Sequence, residues 1–452
     1  VISADEYQWL ASVDATEAWS FLWTNAHSQR KRPATAKLPP VFATLHPSQQ
    51  QLLEEQLAFA MGSAKRKVID PARWRWTQRL LEQASDEWTA AETANDFPMG
   101  QPVIDICSGA GVDTVALSRR MLGAAITSTE PLRSTDIHAD LVTPVDSSSI
   151  ACSLTALNSR NNGFLVQPME SRFEDITLRE DVWLHMDPDR RADGHKHIQL
   201  QQMQPAWDSI ATALYRCKGA SIKIAPGFQT TQGFEWGACG PPDARRWLSR
   251  DGSVRQQRLY WRLPRWGSGK RIVSLQRSDG LWIHEQFSEN EITENEVFRH
   301  LDSGTWHAGS YEHGSTHFLD DDFTRLQLGS YVADQDPVLR AAQCSSALAR
   351  RLGARVLGNE FGYFHAPSIL EHPMLRWFRV HEILPLDRKK LKAYTRSLDT
   401  KRWELKSRNI DIDLVKLQKE LITNKSASEV RWLLLTKIGP KHVAIAAEEV
   451  KG

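Results

Sequence analysis

Val103-Ile104-Asp105-Ile106-Cys107-Ser108-Gly109-Ala110-Gly111-Val112-Asp113-Thr114 is the stretch that decides how this chain is read. Three β-favouring residues interleave with Asp105 and Cys107, then give way to small residues, and a helix-like pattern follows from Thr114 to Arg120. A strand that ends in a glycine-rich turn lets the backbone come close to a ligand, and the next helix offers free amide donors. The stretch therefore predicts a nucleotide-type pocket. One Gly-x-Gly pair is compatible with several nucleotide cofactors. The third glycine and the basic or hydroxyl ending of dinucleotide and phosphate-loop fingerprints are missing, and no Gly-Lys-Ser/Thr occurs in the chain, which disfavours phosphate cradling.

Outward from this loop, 452 residues with 41% hydrophobic content are enough for two or three domains. A formal net charge of +1 excludes a uniformly basic nucleic-acid coat but leaves room for a local one. The five cysteines, at 107, 152, 217, 239 and 344, have no metal-ligand spacing, so neither a zinc site nor a disulfide framework is expected. No secretory leader pattern and no apolar segment of membrane-spanning length is present, and the expected setting is soluble and cytoplasmic. Seventeen tryptophans are unusual for this size; most, like Trp19 and Trp23 at i,i+4 spacing, are expected in the core.

Residues 1–97 read as a helical domain. From 98 to 330 strands (103–107, 141–145, 164–167, 182–186, 221–225) alternate with helices (114–120, 150–158, 202–215), followed by a β-rich part. Such alternation predicts an α/β, Rossmann-like, mostly parallel sheet covered on both faces, with its site beyond the carboxyl ends of the strands. A helical linker is expected over 331–375 and a small α/β domain over 376–452.

Five motifs in this order resemble one family: Leu81-Glu82-Gln83-Ala84-Ser85, Asp105 to Asp113, Asp187-Pro188-Asp189-Arg190-Arg191, Lys223-Ile224-Ala225-Pro226-Gly227 and Trp403-Glu404-Leu405-Lys406-Ser407-Arg408. Together they look like bacterial class I S-adenosylmethionine-dependent methyltransferases that carry a C-terminal THUMP-like domain. More distantly, the core is similar to trimethylguanosine synthases. The resemblance implies S-adenosyl-L-methionine as cofactor, held by Asp105, Ser108, Gly109, Gly111 and Asp113; the alternatives are a strand-end turn former for Asp105 and a helix cap for Asp113. A ribose-reading acid should end the second strand. Asp146 is preferred, with Glu130 its competitor, because Pro144 is awkward in a central strand and the connection is long. Glu170 is placed near the adenine ring, or else is a solvated loop acid.

In related amino-methylating enzymes the fourth strand ends in Asn/Asp-Pro-Pro-aromatic. Here Asp187 and Pro188 stand as the catalytic pair, while Asp189 and Arg190 replace the second proline and the aromatic ring. Trp76 or Trp88 is a possible stacking lid. Arg190 and Arg191 suit a phosphate, or pair with neighbouring acids. Gln83 is assigned to substrate binding. Lys223 is expected to face the core or an acid near the pocket. No metal ligand set is read.

Between Arg376 and Arg408, eleven Lys/Arg stand against four Asp/Glu. Such a patch can track phosphates, and Lys389, Lys390, Lys406 and Arg408 are its candidate contacts; a solvated face is the alternative. Trp403 is expected to pack. The expected function is methylation of a base nitrogen in structured RNA such as transfer RNA. A protein or small-molecule methyltransferase and a non-catalytic RNA-binding protein are the competing readings.

Overall fold

Side-chain caps start several of the N-terminal helices. In the computed structural model, α1 (Ala4–Trp9), α2 (Val13–Ser28) and α3 (Pro47–Met61) precede α4 (Gln78–Gln83) and α5 (Glu87–Ala94). Thr77 and Asp86 accept backbone amides at the starts of α4 and α5. The residues described are 4–28, 44–123, 137–189, 200–229, 234–292, 330–357, 362–421, 423, 426–438 and 440–450. Pro33 and Pro40, Glu130, Arg190 and Arg191 lie outside them. The chain divides into two units, Val1–Arg245 with Gln257–Ser268, and Arg246–Gln256 with Gly269–Gly452.

In the first unit, β1 (Val103–Ile106) leads into α6 (Val112–Met121), then β2 (Ile137–His138), β3 (Val142–Asp146) and α7 (Ser149–Asn161). Next come β4 (Phe164–Leu165), β5 (Met169–Glu170), β6 (Trp183–Met186), α8 (Trp207–Arg216) and β7 (Gly219–Ile224). Then β8 (Ala244–Arg250) passes into the second unit after Arg245, and β9 (Ser253–Trp261) returns to the first at Gln257. The sheet of this unit runs β9-β7-β6-β1-β3-β5. All neighbours are parallel except β9, which is antiparallel to β7. That reversal sets Arg258 opposite Lys223.

Pro144 is tolerated for a specific reason. The amides of Val103 and Ser108 donate to Leu141 and Val145, so the odd residues of β3 face β1. Pro144 faces the other side, where β5 pairs only with Val145 and Asp146. Its missing N–H therefore interrupts no ladder bond. The helix expected from Gln202 begins at Trp207 instead, since Pro205 disfavours helix at the residue before it.

The aliphatic side chains of β1, β6 and β7 (Ile106, Leu184, Met186, Ile222 and Ile224) pack with Trp207, Ile210 and Leu214 of α8. A separate cluster joins Tyr7, Trp19, Leu52 and Leu53 of the first helices to Leu154 and Leu157 of α7. Trp19 and Trp23 stack at 5.8 Å, as their spacing predicts. Trp76 is fully buried and stacked on Trp74, so it fills the core and cannot serve as a lid.

In the second unit, β10 (Lys270–Gln276) and β11 (Trp282–Ser288) form an antiparallel pair. There follow β12 (Tyr331–Gln335), α9 (Pro337–Ala341), α10 (Ser345–Leu352), β13 (Arg355–Val356) and β14 (Phe364–Ala366). The remaining elements are β15 (Leu375–Pro385), α11 (Arg388–Arg396), β16 (Arg402–Ser407), α12 (Leu414–Glu420), β17 (Val430–Ile438) and β18 (Lys441–Glu449). They build a seven-stranded sheet of order β13-β14-β12-β15-β18-β17-β16. Leu391 of α11 and Leu417 of α12 cover one face, packing on Trp403, Leu433 and Leu435. Trp403 is a core residue. Among the described residues no helix is long and apolar enough to cross a membrane.

Candidate active site

The loop after β1 turns by left-handed backbone at Cys107 (φ 59°), Gly109 (φ 59°) and Gly111 (φ 84°). At Gly111 a Cβ would lie 3.1 Å from the Thr155 Cα, so glycine is needed both for the angle and for the approach of α7. Side chains of α7 hold the loop. Thr155 Oγ1 donates to the Gly109 carbonyl (3.0 Å), and Asn158 Nδ2 donates to the carbonyls of Ala110 (2.8 Å) and Arg75 (2.9 Å). Ser108 is buried with its hydroxyl 3.4 Å from that of Thr155.

Asp146 ends β3 against this loop. Its Oδ2 accepts the Gly109 amide (3.0 Å) and its Oδ1 the Ser148 amide (2.9 Å). Burial pushes its carboxyl above the usual range, against the lowering effect of these amides. The carboxylate keeps acceptor capacity beyond these backbone amides for a ligand hydroxyl. Glu170 is exposed and stands beside Asp146 in the β3–β5 register.

Cys107 sits where the carboxylates meet. Burial foremost, then the negative fields of Asp146, Asp187, Asp105 and Asp189, pushes its thiol well above the ordinary range. The thiol stays protonated and is no nucleophile. Because a side chain at this φ is strained, Cys107→Gly is expected to leave stability within about 1 kcal/mol of the parent, whereas Cys107→Val costs about 1–3 kcal/mol. Thermal midpoints of the two variants check this.

Beneath the loop runs a buried polar chain. Thr114 Oγ1 donates to Asp105 Oδ2 (2.5 Å), His185 Nδ1 lies 2.8 Å from Asp105 Oδ1, and Arg258 Nη2 lies 2.8 Å from His185 Nε2. Arg258 also donates to Ser221 Oγ (3.0 Å). A guanidinium can only donate, so His185 Nε2 accepts and the ring proton sits on Nδ1, pointed at Asp105. Asp105 is thus the centre of an inward-facing network. Asp113 does not cap α6, whose cap residue is Gly111. Among the described residues its Oδ1 has no hydrogen-bond partner, and it lies 3.5 Å from His185 Nε2 and 3.7 Å from Arg258 Nη2. Burial opposes its charge, but the cations Lys223 and Arg258 and a hydrogen bond from Ser85 hold the carboxyl below the usual carboxylate range.

The Asp187 loop leaves the adjacent strand. Ile106 pairs with Met186, and the Asp187 amide donates to the Ile106 carbonyl (3.2 Å). The two loops expected to form the site therefore emerge side by side. Asp187 Oδ2 lies 2.6 Å from Lys223 Nζ, which also reaches Ser85 Oγ at 2.9 Å. Asp189 takes Arg79 Nη2 (2.7 Å) and Gln83 Nε2 (3.3 Å), so α4 reaches the Asp-Pro turn. Leu80 of the same helix comes within 3.8 Å of the position a Gly109 Cβ would occupy. Arg79, His185 and Arg258 take part in contacts that motif reading missed, hidden by their separations in sequence; Ser85 closes a motif that was read, but without a role.

The basic candidates of the second unit divide. Lys389 and Lys390 are exposed on α11. Arg408 instead grips Asp334 through two bonds (2.8 and 3.1 Å), and Lys406 pairs with the same carboxylate. Arg388 pairs with Glu420 at 2.8 Å.

Residues 375–449 match the family model described as THUMP domain-like. No curated protein matches the chain. Among solved structures, the chain is similar to a candidate methyltransferase from Porphyromonas gingivalis W83, at a TM-score of 0.66 and 15% identity over 96% of this chain and 99% of that one. Partial likenesses include a type I restriction-modification system methyltransferase subunit from Streptococcus thermophilus (TM-score 0.29, 11% identity, 49% of this chain and 57% of that). Another is the Pyrococcus abyssi tRNA (uracil-54, C5)-methyltransferase in complex with S-adenosyl-L-homocysteine (TM-score 0.21, 15% identity, 31% and 29%). The chain thus has a methyltransferase-like α/β fold with a THUMP-like C-terminal domain.

Proposed function

We propose that this chain is an S-adenosylmethionine-dependent methyltransferase acting on a base nitrogen of structured RNA. The observation that carries the reading is the junction of two loops. The amide of Asp187 is bonded to the carbonyl that precedes the glycine turn, so an acceptor beside Asp187 lies next to whatever the turn holds. The residues present fit the cofactor: Asp146 offers paired acceptors for ribose hydroxyls, and the Gly109 turn brings bare backbone to the pocket. S-adenosylmethionine, when bound, supplies a methyl group made electrophilic by its sulfonium. The chain's own work is to hold and orient. Asp187 accepts a hydrogen bond from the acceptor amine and aligns its lone pair, and the closed, polar floor below keeps those dipoles fixed. No covalent enzyme adduct is involved, consistent with the protonated Cys107 thiol. Lys389 and Lys390 on the THUMP-like domain contact RNA phosphates without reading sequence.

The test is direct. The protein is incubated with total RNA and methyl-labelled S-adenosylmethionine, and the RNA is digested to nucleosides. Label in one N-methylated nucleoside is expected. Label confined to protein or metabolites supports the other methyltransferase readings, and no label with no cofactor binding leaves only an RNA-binding protein.

Cofactor affinity should also depend on pH in a predictable sense. Because the folded-state pKa of Asp146 is raised, lowering the pH protonates it before an ordinary aspartate and removes an acceptor. Calorimetric affinity for S-adenosylhomocysteine is expected to weaken as pH falls from about 7 toward about 4.5, and Asp146→Asn to bind weakly with little of that dependence. The effect on folding has the opposite sign. A raised carboxyl stabilises the fold below its unfolded pKa, and that contribution is lost as pH rises through the folded value.

A further inference from the structure

Lys223 is almost fully buried, with 7% of its side chain exposed, yet it lies on the strand that borders the Asp187 loop. The parallel register Met186–Ile222 brings the next residues, Asp187 and Lys223, alongside each other. Its Nζ spans Asp187 Oδ2 at 2.6 Å and Ser85 Oγ at 2.9 Å. On its other side Lys223 is the cross-strand partner of Arg258, a placement of like charges that is unfavourable by itself. Asp113, whose carboxyl senses both cations and Ser85, offsets it. Buried lysines persist only when paired, and here the pair is made to one oxygen of Asp187. Asp187 keeps 21% of its side chain exposed, and among the described residues its Oδ1 has no hydrogen-bond partner.

We infer that Lys223 is a positioning residue. It fixes Asp187 through Oδ2 so that Oδ1 faces the acceptor amine, and it makes the carboxylate a neutralised hydrogen-bond acceptor instead of a strong base. This inference rests on the methyl-transfer reading above. The amine then attacks in its neutral form. Its nitrogen lone pair forms the C–N bond, the electrons of the broken S–C bond stay on sulfur, and the alkylated nitrogen sheds its proton to water. An asparagine in place of Asp187 would offer the same acceptor without a charge, which is why the carboxylate and the ammonium act as one unit.

The test uses the full chain, total RNA and labelled S-adenosylmethionine, with Lys223→Met, Asp187→Asn and the double variant. Lys223→Met is expected to lower the rate at saturating cofactor about 10–100-fold, since small misplacements at a reacting centre have that effect, while cofactor affinity stays within about twofold. Adding Asp187→Asn to Lys223→Met removes the stranded charge and is expected to recover at least about tenfold of the loss. A second readout needs no turnover: selective Lys labelling should show a slowly exchanging Nζ–H signal for Lys223, lost in Asp187→Ala. A Lys223→Met enzyme of parental rate, a double variant no better than the single one, or no protected Nζ–H signal overturns the inference. A parent enzyme that transfers no label to RNA overturns the functional reading first, and the inference with it.

Discussion

Arg258→Ala is expected to destabilise the fold by about 3–5 kcal/mol, the loss typical of breaking a buried ion-paired network from one side. Arg258 is 0% exposed and donates to Ser221 and to His185, whose other nitrogen is turned toward Asp105. Its removal leaves His185 Nε2 without its donor, Asp113 facing one cation fewer, and an arginine-sized cavity on the sheet face over Ser221 and His185. His185 and Arg258 are almost fully buried, so the freed His185 nitrogen has no ready replacement donor in water. The urea midpoint, followed by tryptophan fluorescence, should drop with little change in slope. A second variant separates charge from volume. Arg258→Met keeps most of the shank, and pairing it with Asp113→Asn removes the facing carboxylate as well. A double variant more stable than Arg258→Met alone is expected, and the coupling measures the electrostatic part. An Arg258→Ala midpoint equal to the parent's would show that the network contributes nothing to stability.

The second large effect is on turnover. Asp187→Ala is expected to lower the methyl-transfer rate by about 100-fold or more, while affinity for S-adenosylmethionine changes by no more than about twofold. The separation follows from geometry. Asp146 and the glycine turn are held by Gly109, Ser148, Thr155 and Asn158, none of which bonds to the Asp187 side chain. Truncating Asp187 removes the acceptor that orients the amine and strands the Lys223 ammonium, so some stability is lost as well. Single-turnover rates with labelled cofactor, beside calorimetry on the same preparations, distinguish the two consequences. Parental turnover in Asp187→Ala would remove this residue from the mechanism. A parallel loss of cofactor affinity would mean that the two loops act as one binding surface.

Much of the architecture was legible because it is local. The period-two run from Val103 and the small residues after Cys107 describe β1 and its turn, and the structure places both there. Asp146, preferred over Glu130 as the acid at the end of the second strand, accepts the amide of the glycine turn. Trp403 packs under the sheet as its surroundings suggested. Charge alone was less informative. Lys406 and Arg408 belong to the same basic run as Lys389 and Lys390, yet they spend their donors on Asp334, a partner more than 70 residues away.

By itself, then, the order of residues determined the strand and turn around the glycine loop and which strand ends carry acids, since backbone geometry and side-chain periodicity are properties of neighbours along the chain. It did not find the strands β12, β13 and β14 in the stretch 331–375 expected to be a helical linker. Only the tertiary structure decided what those acids touch. Lys223 meets Asp187, His185 meets Arg258 and Gln83 meets Asp189 because parallel β6 and β7, antiparallel β9 and the α4 helix converge there. A hydrogen bond forms only within about 3 Å, and no pattern of spacing encodes a distance closed by strand order.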